Sequence, residues 1–359
     1  MNIYAILISF LMCATGLLVV YLTATHWDHP GKTIRIKMSE IGYGLLFIVN
    51  GFFALVLFRY ENISFETGVQ LYKWICFIFA AILIFVWVFN VLVTYIRIKR
   101  QPELLDVDAE PCRDFDTYFS RLEKTYEIDT GKKDIIKDLS RKFLHFLIIA
   151  VVVLSHEYAF SMKDSLASWG MTPLAGRNFV YFTAAFSFIL MFTSEDILRV
   201  YNFKLLPDWA LKWIDKSLEL KSEKYTYISS VPFLLSLMIF LLAPFQVLLC
   251  ACVVSCISDS LASIVGKSFG RHKLKGFGYF PEKSWEGLIA GALSAFVGVY
   301  LVFEFYPMAG VTLPWQLGFA GIATVSFIYA DCFARYVVDN INNTVLPGAF
   351  TWIAILLFL

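Results

Sequence analysis

The sequence predicts an all-α, polytopic integral membrane protein with about ten transmembrane helices, and three observations carry that expectation. The 359 residues are 58% hydrophobic with a mean hydropathy of +0.67, more apolar surface than a soluble domain of this length can cover. Charged residues, 16% of the chain, are bunched between apolar runs of about 20 residues, the length that crosses a hydrocarbon core. Aromatic residues make up 17%, with 35 Phe, which suits lipid-facing helices and interfacial belts. A net charge of +1 gives no ground for a nucleic-acid partner.

The spans are expected at roughly 3–24, 40–58, 72–96, 143–160, 178–194, 228–243, 245–265, 287–305, 314–334 and 345–359. The first run lacks a basic leader and an A-x-A cleavage site, so it reads as a retained helix. The sixth and seventh are divided only by Ala243-Pro244, and one kinked helix with a re-entrant piece is the alternative. Lys and Arg crowd every second loop. Lys32, Arg35 and Lys37 stand in the first such loop, and Lys267, Arg271, Lys273, Lys275 and Lys283 in the last. Basic loops stay in the cytoplasm, which puts both termini outside. Three units follow: a three-helix membrane unit (1–98), a cytoplasmic amphipathic linker (99–137) and a seven-span membrane domain (138–359). The seven cysteines form no CxxC pair and no zinc spacing.

Two polar stretches carry the chemistry. In the first, Asp259 lies inside an apolar run near its cytoplasmic end. A carboxylate at that depth is costly without a partner, and Mg²⁺ is a natural one, since it prefers carboxylate oxygens and nucleotide phosphates. Small residues (Ser260, Ala262, Ser263) permit close approach, Gly266 and Gly270 are expected to loosen the helix end, and Lys267, Arg271 and Lys273 offer cations for phosphate. The bland alternative is a helix end with snorkelling cations. In the second stretch, Pro281–Gly287, Ser284 can N-cap the next span, whose N-terminus then becomes an anion site. Lys283 adds a point charge, and Glu286 can hold a metal or receive a proton. An ordinary capped helix with an interfacial Trp is the alternative there.

Together the stretches read D-x-x-A-S-x-x-G-x-x-x-G-R from Asp259 to Arg271, then P-x-K-S-x-E-G from Pro281 to Gly287. This ordered pair resembles the superfamily of phosphatidate cytidylyltransferases and CTP-dependent dolichol, phytol and diacylglycerol kinases. Three further stretches resemble its kinase branch: Arg141-Lys142 with His145 (R-K-x-x-H), Glu195 with Arg199 (E-x-x-x-R), and Asp339-Asn340 followed by Pro347, here stretched by Ile341-Asn342-Asn343. Asp331 stands where the kinases carry Glu. The cytidylyltransferase branch's own C-terminal signature is missing, although P-x-K-S-W-E-G is close to its form of the loop. The resemblance covers about residues 138–359.

The resemblance implies CTP- and Mg²⁺-dependent phosphoryl transfer to a membrane lipid alcohol such as a polyprenol, a phytol-like alcohol or diacylglycerol. CTP and the lipid would be the partners, without nucleic acid, and a homodimer is left open. Asp259, Lys283 and Glu286 would be catalytic, with Asp259 and Glu286 holding the metal. Ser263, Gly266, Lys267, Gly270, Arg271, Lys273, Ser284, Arg141, Lys142 and His145 would bind nucleotide and phosphate. Glu195, Arg199, Asp331, Asp339 and Asn340 would complete the pocket. No Walker A loop, kinase Gly-rich loop or H-R-D motif is present, which excludes a soluble-kinase nucleotide site. One rival is phosphatidate cytidylyltransferase chemistry. The other is a transporter or scaffold, which would spread polar residues through the bilayer depth instead of gathering them at one face.

Overall fold

A computed structural model describes residues 3–29, 31–57, 65–106, 111–128, 132–218, 223–228, 230–334, 336–337 and 339–359. Among them the regular structure is helical, apart from one isolated antiparallel bridge between Lys273 and Ser284. The principal helices are α1 (Ile3–Thr25), α2 (Ile34–Leu57), and α3, a rod of Phe65–Leu83, a π-helical Ile84–Val91 and Leu92–Arg100. Next come α4 (Phe115–Ile128), α5 (Lys132–Ser161), α6 (Pro173–Tyr201), α7 (Asp208–Ser217) and α8 (Ser230–Met238) with a 3₁₀ extension to Leu242. The rod α9 joins Phe245–Val253, a π-helical Val254–Ser258 and Asp259–Phe269. The chain closes with α10 (Trp285–Phe305), α11 (Leu313–Phe333) and α12 (Asp339–Phe358).

Among the described residues eight helices are long and apolar enough to cross a membrane, and the shorter apolar helices His145–Ser161 and Ser230–Leu242 fall where the fourth and sixth spans were expected. The sixth and seventh spans are separate helices. Ala243 is extended, as a residue before proline prefers, and Pro244 starts α9 afresh.

On α10 one stripe of small residues is turned inward. On α10, Ile289, Leu293 and Val297 recur every four residues and are exposed, while Gly287, Gly291, Ala295 and Val299 recur in the same way and are buried. In water this pattern would be inverted. Here the large apolar face meets lipid, and the small face lets neighbouring helices approach. The span containing α9 is the innermost, 67% buried; it packs against α10 and α12 and carries the site.

Segments outside the spans are anchored by polar contacts. Arg113 donates to the carbonyls of Lys204 (3.0 Å) and Leu206 (2.8 Å) and pairs with Asp208. This holds α4 against the 203–218 segment, where the tilted rings of Phe119 and Phe203 lie 5.9 Å apart. Helix α5 runs unbroken across residues 137–138. The N-terminal hairpin is tied down by a buried ion pair, Lys32–Glu40 at 2.8 Å, in which Lys32 also donates to the Tyr201 hydroxyl at 3.1 Å on α6.

Candidate active site

The last turns of α9, the loop after it, the start of α10, the end of α11 and the start of α12 enclose a cavity of about 510 Å³. The loop is shaped by two close approaches. Gly270 ends α9 where a Cβ would clash with the Gly266 carbonyl and meet Ser284 Oγ at 2.5 Å. On α10, a Cβ at Gly287 would meet the Ala262 carbonyl at 2.6 Å. Gly266 therefore does not loosen a helix end: α9 continues to Phe269, and Gly266 is the flat spot against which α10 lies. The loop closes through Leu274 N–H to the Lys283 carbonyl and Trp285 N–H to the His272 carbonyl, both 2.9 Å. Ser284 caps α10 as expected, its Oγ accepting from Gly287 N–H at 3.3 Å.

The cavity gathers opposite charges. Asp259, Ser263, Gly266 and Lys267 line it from α9; Gly270, Lys273, Lys283 and Ser284 from the loop; Asp331 from α11; and Asp339 and Asn340 from α12. Lys273 is steadied by the Glu282 carbonyl at 2.9 Å. Lys283 Nζ donates to Asp331 Oδ1 at 2.7 Å and to its carbonyl at 2.8 Å, and lies 3.4 Å from Asp339 Oδ2. Burial pulls the Lys283 pKa down, but Asp339, Asp331 and the bond to Asp331 outweigh it, so the ammonium is held above the ordinary lysine range. Asp259 Oδ1 accepts from Asn343 Nδ2 at 3.2 Å, and Thr344 Oγ1 donates to Ser255 Oγ at 2.8 Å one turn earlier on α9.

Several expected residues sit elsewhere. Glu286 does not line the cavity. It is one position, about 100° of helix, away from the cavity-facing Gly287, and accepts from His272 Nδ1 at 2.6 Å. Arg271 is exposed and also outside the lining. His145 is buried with its ring 5.2 Å from that of Phe233 on α8. Glu195 and Arg199 line a different cavity, with Trp209 and Trp213 of α7. The side chains of Arg141 and Lys142, on α5, lie outside the described residues.

Two residues join the site unforeseen. Arg35, at the start of α2, donates to Asp339 and rests 4.8 Å over the Phe280 ring, whose neighbourhood Lys283 shares at 5.0 Å. In the sequence Arg35 stood out only as a topology-setting charge. Asn343 belongs to the stretch that looked like an insertion; α12 absorbs it as helix, with Pro347 inside, and so brings Asn343 to Asp259.

Asp259, Asp331 and Asp339 offer the hard oxygen donors that Mg²⁺ takes. Among the described residues no group of three or more acidic, His or Cys side chains is arranged as a ready-made metal cage.

Fold and site define a class: a multi-pass helical membrane protein whose carboxylates and lysines meet in a cavity between the ends of its C-terminal helices. Residues 68–333 match the sequence model of the cytidylyltransferase family, and the chain belongs to that family. Over 94 residues it is 31% identical to a phytol kinase of Synechocystis sp. (strain ATCC 27184 / PCC 6803 / Kazusa), a stretch that is 26% of this chain and 38% of that kinase. The chain thus spans well under half of that relative. No solved structure matches significantly.

Proposed function

We propose that the protein transfers a phosphoryl group from CTP to a membrane lipid alcohol, with Mg²⁺. The observation that carries the reading is one cavity holding Asp259, Asp331 and Asp339 together with Lys267, Lys273 and Lys283 beside a capped helix N-terminus. Phosphoryl transfer asks mainly for positioning and charge stabilisation, and these are the groups that supply them. Lys283 would clamp triphosphate oxygens with Lys267 and Lys273, and the N–H groups at the start of α10 would bind a phosphate oxygen. Asp339 already has two cationic partners, Arg35 and Lys283, so Asp259 and Asp331 would be the metal-holding carboxylates. The metal would neutralise the charge developing on the phosphates. The similarity to a phytol kinase supports an isoprenoid or other long-chain alcohol as acceptor. The run of Lys and Arg in the 266–286 loop supports a cavity that opens to the cytoplasm.

The second reading is phosphatidate cytidylyltransferase chemistry, favoured by the family's description and by the P-x-K-S-W-E-G form of the loop. Purified protein incubated with CTP labelled on its γ-phosphate, Mg²⁺ and a lipid panel separates the two. Labelled lipid phosphate with CDP supports the kinase reading, and labelled pyrophosphate with CDP-lipid refutes it in favour of the other.

A further inference from the structure

A smaller cavity of about 170 Å³ lies where α6 meets α7, similar in size to one that holds a benzene-sized guest. Its walls are aromatic and aliphatic except for Glu195, Asp196 and Arg199. Two of these are committed. Arg199 donates to Asp196 Oδ1 (2.7 Å) and to the carbonyls of Glu223 (2.9 Å), Lys224 (3.0 Å) and Thr226. The other Asp196 oxygen accepts from Ile228 N–H at 2.9 Å. Glu195 differs. The residue is 9% exposed, and both carboxylate oxygens are buried without a hydrogen-bond partner among the described residues. A buried carboxylate in an aromatic pocket is costly unless a donor reaches it.

Phe192 also lines the neighbouring groove between α5, α6 and α8. That groove is almost wholly apolar, walled by Leu147, Val151, Phe188, Leu234 and Leu237 among others, and its helices are membrane-spanning or apolar. We propose that groove and cavity together form a binding site for one long-chain alcohol, its chain in the groove and its hydroxyl donated to Glu195. A phosphate head would be repelled by Glu195. An ammonium head would lose more hydration on entering aromatic walls than a neutral hydroxyl does. The site shares no lining residue with the Asp259 cavity, and its existence does not depend on the proposed reaction.

The test uses the full-length protein in detergent and a hexadecanol carrying a mid-chain diazirine, with the matching diazirine alkane as control. After photolysis, adducts are mapped by mass spectrometry. The alcohol is expected to label peptides of 188–192 and 234–237, and excess unlabelled hexadecanol is expected to compete. Glu195→Leu is expected to cut alcohol labelling about tenfold and leave alkane labelling unchanged, while Glu195→Gln, which keeps an acceptor, retains most of it. Asp259→Asn is expected to label fully, so a failure of the phosphoryl-transfer reading stays distinguishable from a failure here. Should Glu195→Leu not fold, Phe192→Trp fills the junction and is expected to cut alcohol labelling alone. Equal labelling by alcohol and alkane, or labelling indifferent to Glu195, overturns the proposal and leaves the groove as ordinary lipid-facing surface.

Discussion

Lys283→Met removes the ammonium that joins Asp331 and Asp339 while keeping most of the side chain's length. The Asp331 side chain is 7% exposed and the Lys283 side chain 25%. Breaking a fully buried pair by removing one partner costs about 3–5 kcal/mol. This pair borders an open cavity and Asp339 keeps Arg35, so a loss of about 1–3 kcal/mol is expected. If Lys283 also clamps the triphosphate, turnover should fall about 10²–10³-fold, the scale for removing one preorganised charge-stabilising group. Lys283→Arg should restore the melting temperature but only part of the turnover, because a planar fork does not replace a point charge. The assay is paired: thermal melting in detergent, and CTP turnover on the same preparation. A Met variant that melts earlier yet turns over within twofold of the parent would reduce Lys283 to a structural bridge. The pH sign is fixed as well. The native-state pKa is raised, so the stability Lys283 contributes is fully present below the ordinary lysine value of about 10.4 and is lost only as pH rises through the folded value. An activity loss near neutral pH therefore has another origin.

Asp259→Asn should lower turnover by orders of magnitude with melting near normal, and near-normal turnover would remove it from the mechanism. CTP should be preferred over ATP and EDTA should abolish turnover; comparable rates with ATP would refute the base preference alone. Gly287→Val should destabilise by about 1–3 kcal/mol through its clash with the Ala262 carbonyl, whereas Gly318→Ala, with nothing within 4 Å of its Cβ, should be neutral or slightly stabilising in the same melts. Lys32→Met should cost about 3–5 kcal/mol by stranding the buried Glu40, and Lys32→Met with Glu40→Leu should recover most of it.

The helices were legible because each span must be apolar over its own length, a local property. The N-cap at Ser284 was legible for the same reason. Helical phase was harder. Glu286 and Gly287 are neighbours in sequence, but one faces His272 and the other the cavity, and that depends on where the cap sets the helix. Glu195 and Arg199 have the spacing of an i,i+4 ion pair, yet Arg199 is taken by Asp196 and by loop carbonyls that no motif announces. Least legible was Arg35, whose partner Asp339 is 304 residues away. Nothing in a loop of positive charges says which one will turn inward.

The Arg35–Asp339 contact joins two residues that both fall outside the stretch matched to the family, one before residue 68 and one after residue 333. The segments before and after the matched stretch are thus clasped to each other beside the cavity, like the two ends of a belt meeting at a buckle. A fragment trimmed to the family's own borders would keep Asp259, Lys283 and Asp331 but lose both halves of that clasp, and with them Asn343, the residue that orients Asp259. The borders of the family match are therefore not the borders of the candidate site, which Arg35 of α2 reaches from before residue 68.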